Sequence, residues 1–112
     1  MNTHSLQLAT APFNAIMSGE KIIESRLYDE KRRSIQLGDL ITFTNREAPN
    51  KSLTVKVTGL LRYDTFHDLF SQNDPKKFGG ESTEQLEEQI NEFYSIENQK
   101  QYGVLGIEFE RI

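Results

Sequence analysis

At 112 residues the chain is long enough for one domain with its own core and too short for two comfortable ones. Hydrophobic residues make up 36% and charged residues 27%, which excludes the low-hydrophobicity, high-charge profile of a disordered chain. There is no cysteine, which removes disulfides, thiolate metal ligands and a cysteine nucleophile, and fits a reducing, cytoplasmic setting. The net charge of −4 divides into +3 over residues 1–62 and −7 over residues 63–112. An acidic whole argues against strong non-specific binding to duplex nucleic acid, where phosphate neutralisation dominates affinity. It leaves room for a small basic mouth on the N-terminal half, or for nothing more than a solvated acidic helix on the other.

In chain order, Met1–Leu8 shows no basic segment followed by an apolar core, so no secretory signal is expected. No apolar run approaches a membrane span. His4–Leu8 reads as an opening strand. Thr10-Ala11-Pro12 reads as a helix start, Phe13, Ile16 and Met17 recur at helical spacing, and Gly19 sits where a helix-terminating glycine belongs. Lys21–Leu27 reads as a strand, with Ile22, Glu24 and Arg26 on one face and Lys21, Ile23, Ser25 and Leu27 on the other. Tyr28–Arg33 is a short helix or turn, and Gln36–Asp39 is a turn opening a strand over Leu40–Thr44. A hairpin loop over Asn45–Lys51 leads into alternating Leu53–Thr58, where Leu53, Val55 and Val57 share a face. Gly59 marks a bulge or bend in a strand continuing to Tyr63. Thr65–Ser71 reads as helical and Gln72–Gly80 as a loop. Ser82 with Gln85 has capping-box spacing and opens a helix whose apolar face is Leu86, Ile90, Phe93 and Tyr94. A third short helix covers Ile96–Tyr102, Gly103 stops it, and Val104–Ile112 is a closing strand. Strands split by a late helical insert predict a single α+β domain on a twisted or barrel-like sheet.

The segment Gly19-Glu20-Lys21-Ile22-Ile23-Glu24-Ser25-Arg26 packs a lysine, a glutamate and an arginine into its last six residues, inside a stretch that otherwise reads as buried. Charged groups are costly to bury unless paired or bound to a ligand. The segment is therefore either an internal ion-pair network or the floor of a polar pocket. Strict alternation separates Lys21 from Glu24, and they meet only if Lys21 lies in the turn after Gly19 or the strand bulges. Tyr28, Phe43 and Tyr63 offer a stacking surface for a base, with Phe43 better read as core. Lys31, Arg32 and Arg33 are phosphate contacts or a solvated helix end. His4 and His67 lack ligand spacing, so neither a metal nor another cofactor is expected. Ser82 and Ser95 read as helix caps.

Gly19-x-Lys21-x-x-Glu24-x-Arg26, followed by Gly38-Asp39 opening a hydrophobic strand and by the closing Tyr102-Gly103-Val104-Leu105-Gly106-Ile107, resembles the ASCH domain across essentially the whole chain. That family is related to the PUA RNA-binding modules. The resemblance implies a small PUA-like β-barrel with flanking helices, a helical insert before the last strand, and a cleft over the barrel mouth. Some small bacterial members are amidohydrolases of N4-acetylcytidine, in which the motif lysine, a threonine three residues later and a downstream glutamate act. Lys21 matches the lysine, Glu24 stands at the threonine position, and Glu81 matches the downstream glutamate when a short gap is allowed. Other relatives bind RNA or DNA or cleave RNA, and fold alone does not choose among these. The expected function is binding of RNA, a nucleotide or a modified nucleoside through Lys21, Glu24, Arg26, Tyr28 and Tyr63. The alternatives are a hydrolase of a modified pyrimidine using Lys21 with Glu24 or Glu81 as general base, a phosphodiesterase acting on RNA with Lys21 and Arg26 stabilising phosphoryl charge, and a partner-binding domain in which the charged trio is structural.

Overall fold

The computed structural model describes residues 1–112. Its elements are β1 (Thr3–Leu8), α1 (Thr10–Ser18), β2 (Ile23–Leu27), α2 (Glu30–Arg33), β3 (Leu40–Asn45), β4 (Ser52–Tyr63), α3 (Phe66–Ser71), a 3-10 turn (Pro75–Lys77), α4 (Thr83–Asn91), α5 (Ile96–Tyr102) and β5 (Val104–Arg111). Local chemistry sets most boundaries. Gly19 takes φ 87° and ends α1 with its N–H on the Ile16 carbonyl. Asp29, Thr65, Ser82 and Ser95 each cap the following helix through a side-chain oxygen. The Gln85 side chain reaches back to the N–H of Glu81, one residue before the expected partner Ser82.

The strands form one five-stranded sheet in the order β1-β3-β4-β5-β2. β1 runs parallel to β3, and the other pairings are antiparallel. β1 and β2 are the two edges. The sheet curls into a half-barrel that brings them together, so that the Arg26 guanidinium on β2 donates to the Gln7 carbonyl on β1 at 2.9 Å. An α+β half-barrel with flanking helices is the architecture the sequence implied.

Two cores lie on opposite faces of the sheet. Inside the curl, Leu6, Phe43, Val55, Leu105, Ile107 and Phe109 pack together with Phe13 and Ile16 from α1. Outside it, Ile23, Leu27 and Val104 pack against Phe66, Leu69, Phe70, Phe78 and Leu86. β4 serves both faces through a bulge between Val57 and Gly59, expected from the glycine. Before it Leu53, Val55 and Val57 point inward, and after it Leu60 does, while Leu61 and Tyr63 turn to the outer core. Gly106 lets α3 approach the sheet, since a Cβ there would lie 2.9 Å from Leu69 Cδ1.

Two sequence boundaries shift. Regular β2 starts at Ile23, because the N–H groups of Lys21 and Ile22 go to the Ala15 and Lys77 carbonyls rather than to β5. α4 ends at Asn91, so Phe93 leaves the expected apolar face and is 70% exposed.

Candidate functional site

The register of β2 decides where its charges go. Glu24 opposes Ile107 and Arg26 opposes Leu105, both inner-core residues, so the two charged side chains point to the inner face at the mouth of the curl. Lys21 lies in the link after Gly19, where strand alternation does not apply, and pairs as an isolated bridge with Phe78. That is why it reaches Glu24. Lys21 Nζ sits 2.8 Å from Glu24 Oε1, and Arg26 Nε sits 2.8 Å from Glu24 Oε2. The Lys21, Glu24 and Arg26 side chains are 12%, 7% and 15% exposed, so the cluster is nearly but not fully sealed.

Burial pushes the Glu24 carboxyl up, but the charges of Lys21 and Arg26 and their hydrogen bonds outweigh it and hold the group below the usual carboxylate range. Glu24 is thus an anion committed to two cations. Lys21 uses one of its donors on this pair, and Arg26 uses Nε on Glu24 and one terminal nitrogen on Gln7. The cluster carries net +1 and keeps uncommitted N–H donors.

These donors open into a cleft of about 510 Å³. One wall is the end of β1 and the start of α1, the other is Phe78, Gly79, α4 and the turn after it, and Glu24, Ser25 and Arg26 form the floor. Half of the 20 lining residues are hydrophobic, which matches small-molecule sites: an apolar cavity with a few placed polar groups. Arg46 and the exposed Phe93 stand on the rim, and sequence reasoning identified neither. Phe93 was hidden because helical periodicity assigned it to the core.

The other expected site residues do not join this cleft. Tyr28 and Tyr63 line a separate hollow of about 610 Å³ with Arg62, Lys100 and Tyr102. One face of the Tyr28 ring is covered by the Arg62 guanidinium at 4.0 Å, with Arg33 at 5.2 Å, so it stacks on its own chain's cations. Tyr63 packs against the outer core, and Phe43 is fully buried in the inner one. Glu81 is exposed before α4 and does not line the cleft. In the 31–33 stretch, Arg32 bonds Asp29 and the Arg33 side chain reaches the Tyr28 carbonyl, which anchors α2. His67 is exposed and bonds Glu87. His4 has a structural partner the sequence did not reveal: its Nε2 donates to Asp39 at 2.8 Å. Asp39 also accepts from the N–H groups of Asn2 and Gln36, and together these bonds pull its carboxyl down to about 2.

A family model for the ASCH domain matches residues 6–112. The crystal structure of the hypothetical protein PH0355 is 36% identical and superposes over the full length of both chains with a TM-score of 0.86. The solution structure of protein PF0455 from Pyrococcus furiosus is 32% identical, with a TM-score of 0.76 and coverage of 100% of this chain and 98% of that one. The ASCH domain from Lactobacillus crispatus JV V101, at 15% identity and TM-score 0.64 over 98% of this chain and 79% of that one, shares the fold. No curated protein matches the sequence. No helix is long and apolar enough to cross a membrane. With the motif over Gly19–Arg26 set at the mouth of a half-barrel and a family match from the first strand to the last residue, the chain belongs to the ASCH domain family.

Proposed function

We propose that the chain, as a single domain over residues 1–112, binds RNA, a nucleotide or a nucleoside in the cleft above the Lys21–Glu24–Arg26 cluster. The observation that carries this is the state of the two cations. One buried carboxylate holds them side by side, and each keeps N–H donors free beside a cavity of about 510 Å³. Such donors suit the carbonyl of a base or the oxygens of a phosphate. The apolar half of the lining suits a planar ring. The family resemblance to RNA-binding modules points the same way. The acidic C-terminal half favours a short or small ligand over a long duplex.

A second reading, hydrolysis of an amide on a modified pyrimidine such as N4-acetylcytidine, rests on Lys21 at the matching motif position. It has weaker support. Glu24 is a paired anion with depressed basicity, which makes it a poor general base, and Glu81 stands outside the cleft. Titration with nucleosides, nucleoside monophosphates and short single-stranded RNA tests the first reading, and incubation with N4-acetylcytidine followed by chromatography tests the second. Binding without release of cytidine supports the binding domain. Absence of any binding overturns it.

A further inference from the structure

One residue on the floor of the cleft turns its main chain to an open strand edge. β2 pairs with β5 alone, and its other edge has no strand beside it. The Tyr28 N–H donates to the Gly103 carbonyl and the Phe109 N–H to the Ile22 carbonyl, both in the register that sets Arg26 against Leu105 and Glu24 against Ile107. Residues that exchange hydrogen bonds in an antiparallel ladder alternate with residues that do not. Glu24 and Arg26 therefore commit their main-chain groups to β5. Ser25, between them and opposite Gly106, turns its N–H and C=O the other way, toward the edge of β2 that no strand pairs. Ser25 is nevertheless only 9% exposed, and it lines the cleft. Buried peptide groups are nearly always paired, so a donor and an acceptor left open at the floor of a cavity mark a contact point for what enters it.

The geometry narrows the occupant. In an extended residue the N–H and C=O lie adjacent and nearly parallel. The Watson–Crick edge of a nucleobase carries a neighbouring donor and acceptor that complement this arrangement, such as N3–H and O4 of uracil or N3 and the N4 amine of cytosine. A peptide strand adding to the edge would need several successive residues. Here the flanking positions are closed: Ile23 is 0% and Leu27 8% exposed, Lys21 bridges to Phe78 at one end, and the Arg26 side chain crosses to Gln7 at the other. One donor and one acceptor are available, which fits a single planar group.

We propose that the Ser25 main-chain N–H and C=O read the hydrogen-bonding edge of one nucleobase held in the cleft, an inference that rests on the nucleic-acid or nucleoside reading above. Lys21 and Arg26 then meet the ligand's carbonyl or phosphate oxygens, and Ser25 supplies the selection among base edges. The reading belongs to the backbone, so the serine hydroxyl is dispensable.

The test is calorimetric titration of the whole chain with uridine, cytidine, adenosine and guanosine 5′-monophosphates and with their edge-methylated counterparts (N3-methyl for pyrimidines, N1-methyl for purines). Edge methylation is expected to weaken binding at least about tenfold, the scale of losing a buried hydrogen-bonded pair. Ser25→Ala is expected to bind within about twofold of the parent, and Ser25→Pro, which removes the outward N–H at an edge position that tolerates proline, is expected to lose about tenfold. Should Ser25→Pro fail to fold, judged by its melting curve, the methylated nucleotides alone decide. If the parent binds nucleotides but methylation leaves affinity unchanged, or Ser25→Ala loses as much as Ser25→Pro, the edge-reading inference falls and the binding function stands. If no nucleotide binds, or an extended peptide binds in their place, both fall.

Discussion

Replacing Glu24 by glutamine removes the charge that holds Lys21 and Arg26 together while keeping the shape of the side chain. With charge centres about 4 Å apart and an effective dielectric of about 20, each attraction is worth roughly 4 kcal/mol, and desolvation of the three groups cancels much of the total. Breaking a fully buried pair costs about 3–5 kcal/mol. The cations here keep 12% and 15% of their side-chain surface open and can rehydrate through the cleft, which lowers the expected loss to about 2–3 kcal/mol. For a domain of this size that is a fall in Tm of about 10 °C, read by thermal and urea denaturation. The pH dependence follows from the sign of the shift. Glu24 titrates below its ordinary 4.5 in the folded chain, so its contribution is complete above that pH and fades as pH falls through the lower folded value. The difference between parent and Glu24→Gln is therefore expected to shrink in acid. A variant as stable as the parent at pH 7, or a gap that stays constant into strong acid, refutes the view that the carboxylate organises the cations.

Other perturbations separate the framework from the site. Asp39 sits at about 2 against an ordinary 3.8, so the stability it adds is present above the higher value and lost as pH falls through the lower; Asp39→Asn is expected to flatten the acid limb of a melting-temperature profile in that window. Gly106→Ala drives a methyl to 2.9 Å from Leu69 Cδ1 and 3.3 Å from Ile23 Cγ2, and its expected cost of about 1–3 kcal/mol is measurable by urea unfolding. Phe109→Ala empties a 4%-exposed site beside Phe43, whose ring centroid lies 5.5 Å away, and is expected to cost about 3–5 kcal/mol in the same assay.

Elements defined by local chemistry were legible in the sequence. Gly19, Ser82, Ser95 and Gly59 each announce a terminus, a cap or a bulge through demands confined to a few residues, and the structure uses all four. Long-range placement was not legible. The pairing of His4 with Asp39 depends on β1 lying parallel to β3, a neighbour relation that alternation cannot supply. At Lys21 alternation left two arrangements open, and the structure takes the one with the lysine in the link after Gly19, where the chain has not yet joined the ladder and the side chain turns toward Glu24. Tyr28 and Tyr63 looked like cleft aromatics because they lie near strand ends, where a hydroxyl can reach solvent. Instead Tyr28 stacks beneath Arg62, and Tyr63 follows the parity change at the β4 bulge onto the outer core.

The two cations of the cluster have different work, and their variants are expected to separate. Arg26 is fixed twice, to Glu24 Oε2 at 2.8 Å and to the Gln7 carbonyl at 2.9 Å, and the second bond ties one edge of the sheet to the other. Hydrogen bonds to charged groups contribute about 1.5–3 kcal/mol each, so Arg26→Ala, which removes both and leaves Glu24 with Lys21 alone, is expected to lose about 3 kcal/mol of stability. Lys21 makes one ion pair and no bridge between strands. When it is replaced by alanine, Arg26 still neutralises Glu24, and the expected loss is about 1.5 kcal/mol, the low end of that range. Ligand binding is expected to show the reverse order, because Lys21 is tied at a single donor and can turn its other two to a ligand, while Arg26 is fixed to the framework by two bonds. Parallel urea unfolding and nucleotide titration of the two variants decide it. If Lys21→Ala proves the less stable protein and binds nucleotide as the parent does, the lysine is a structural counter-ion and the cleft loses its principal recognition group.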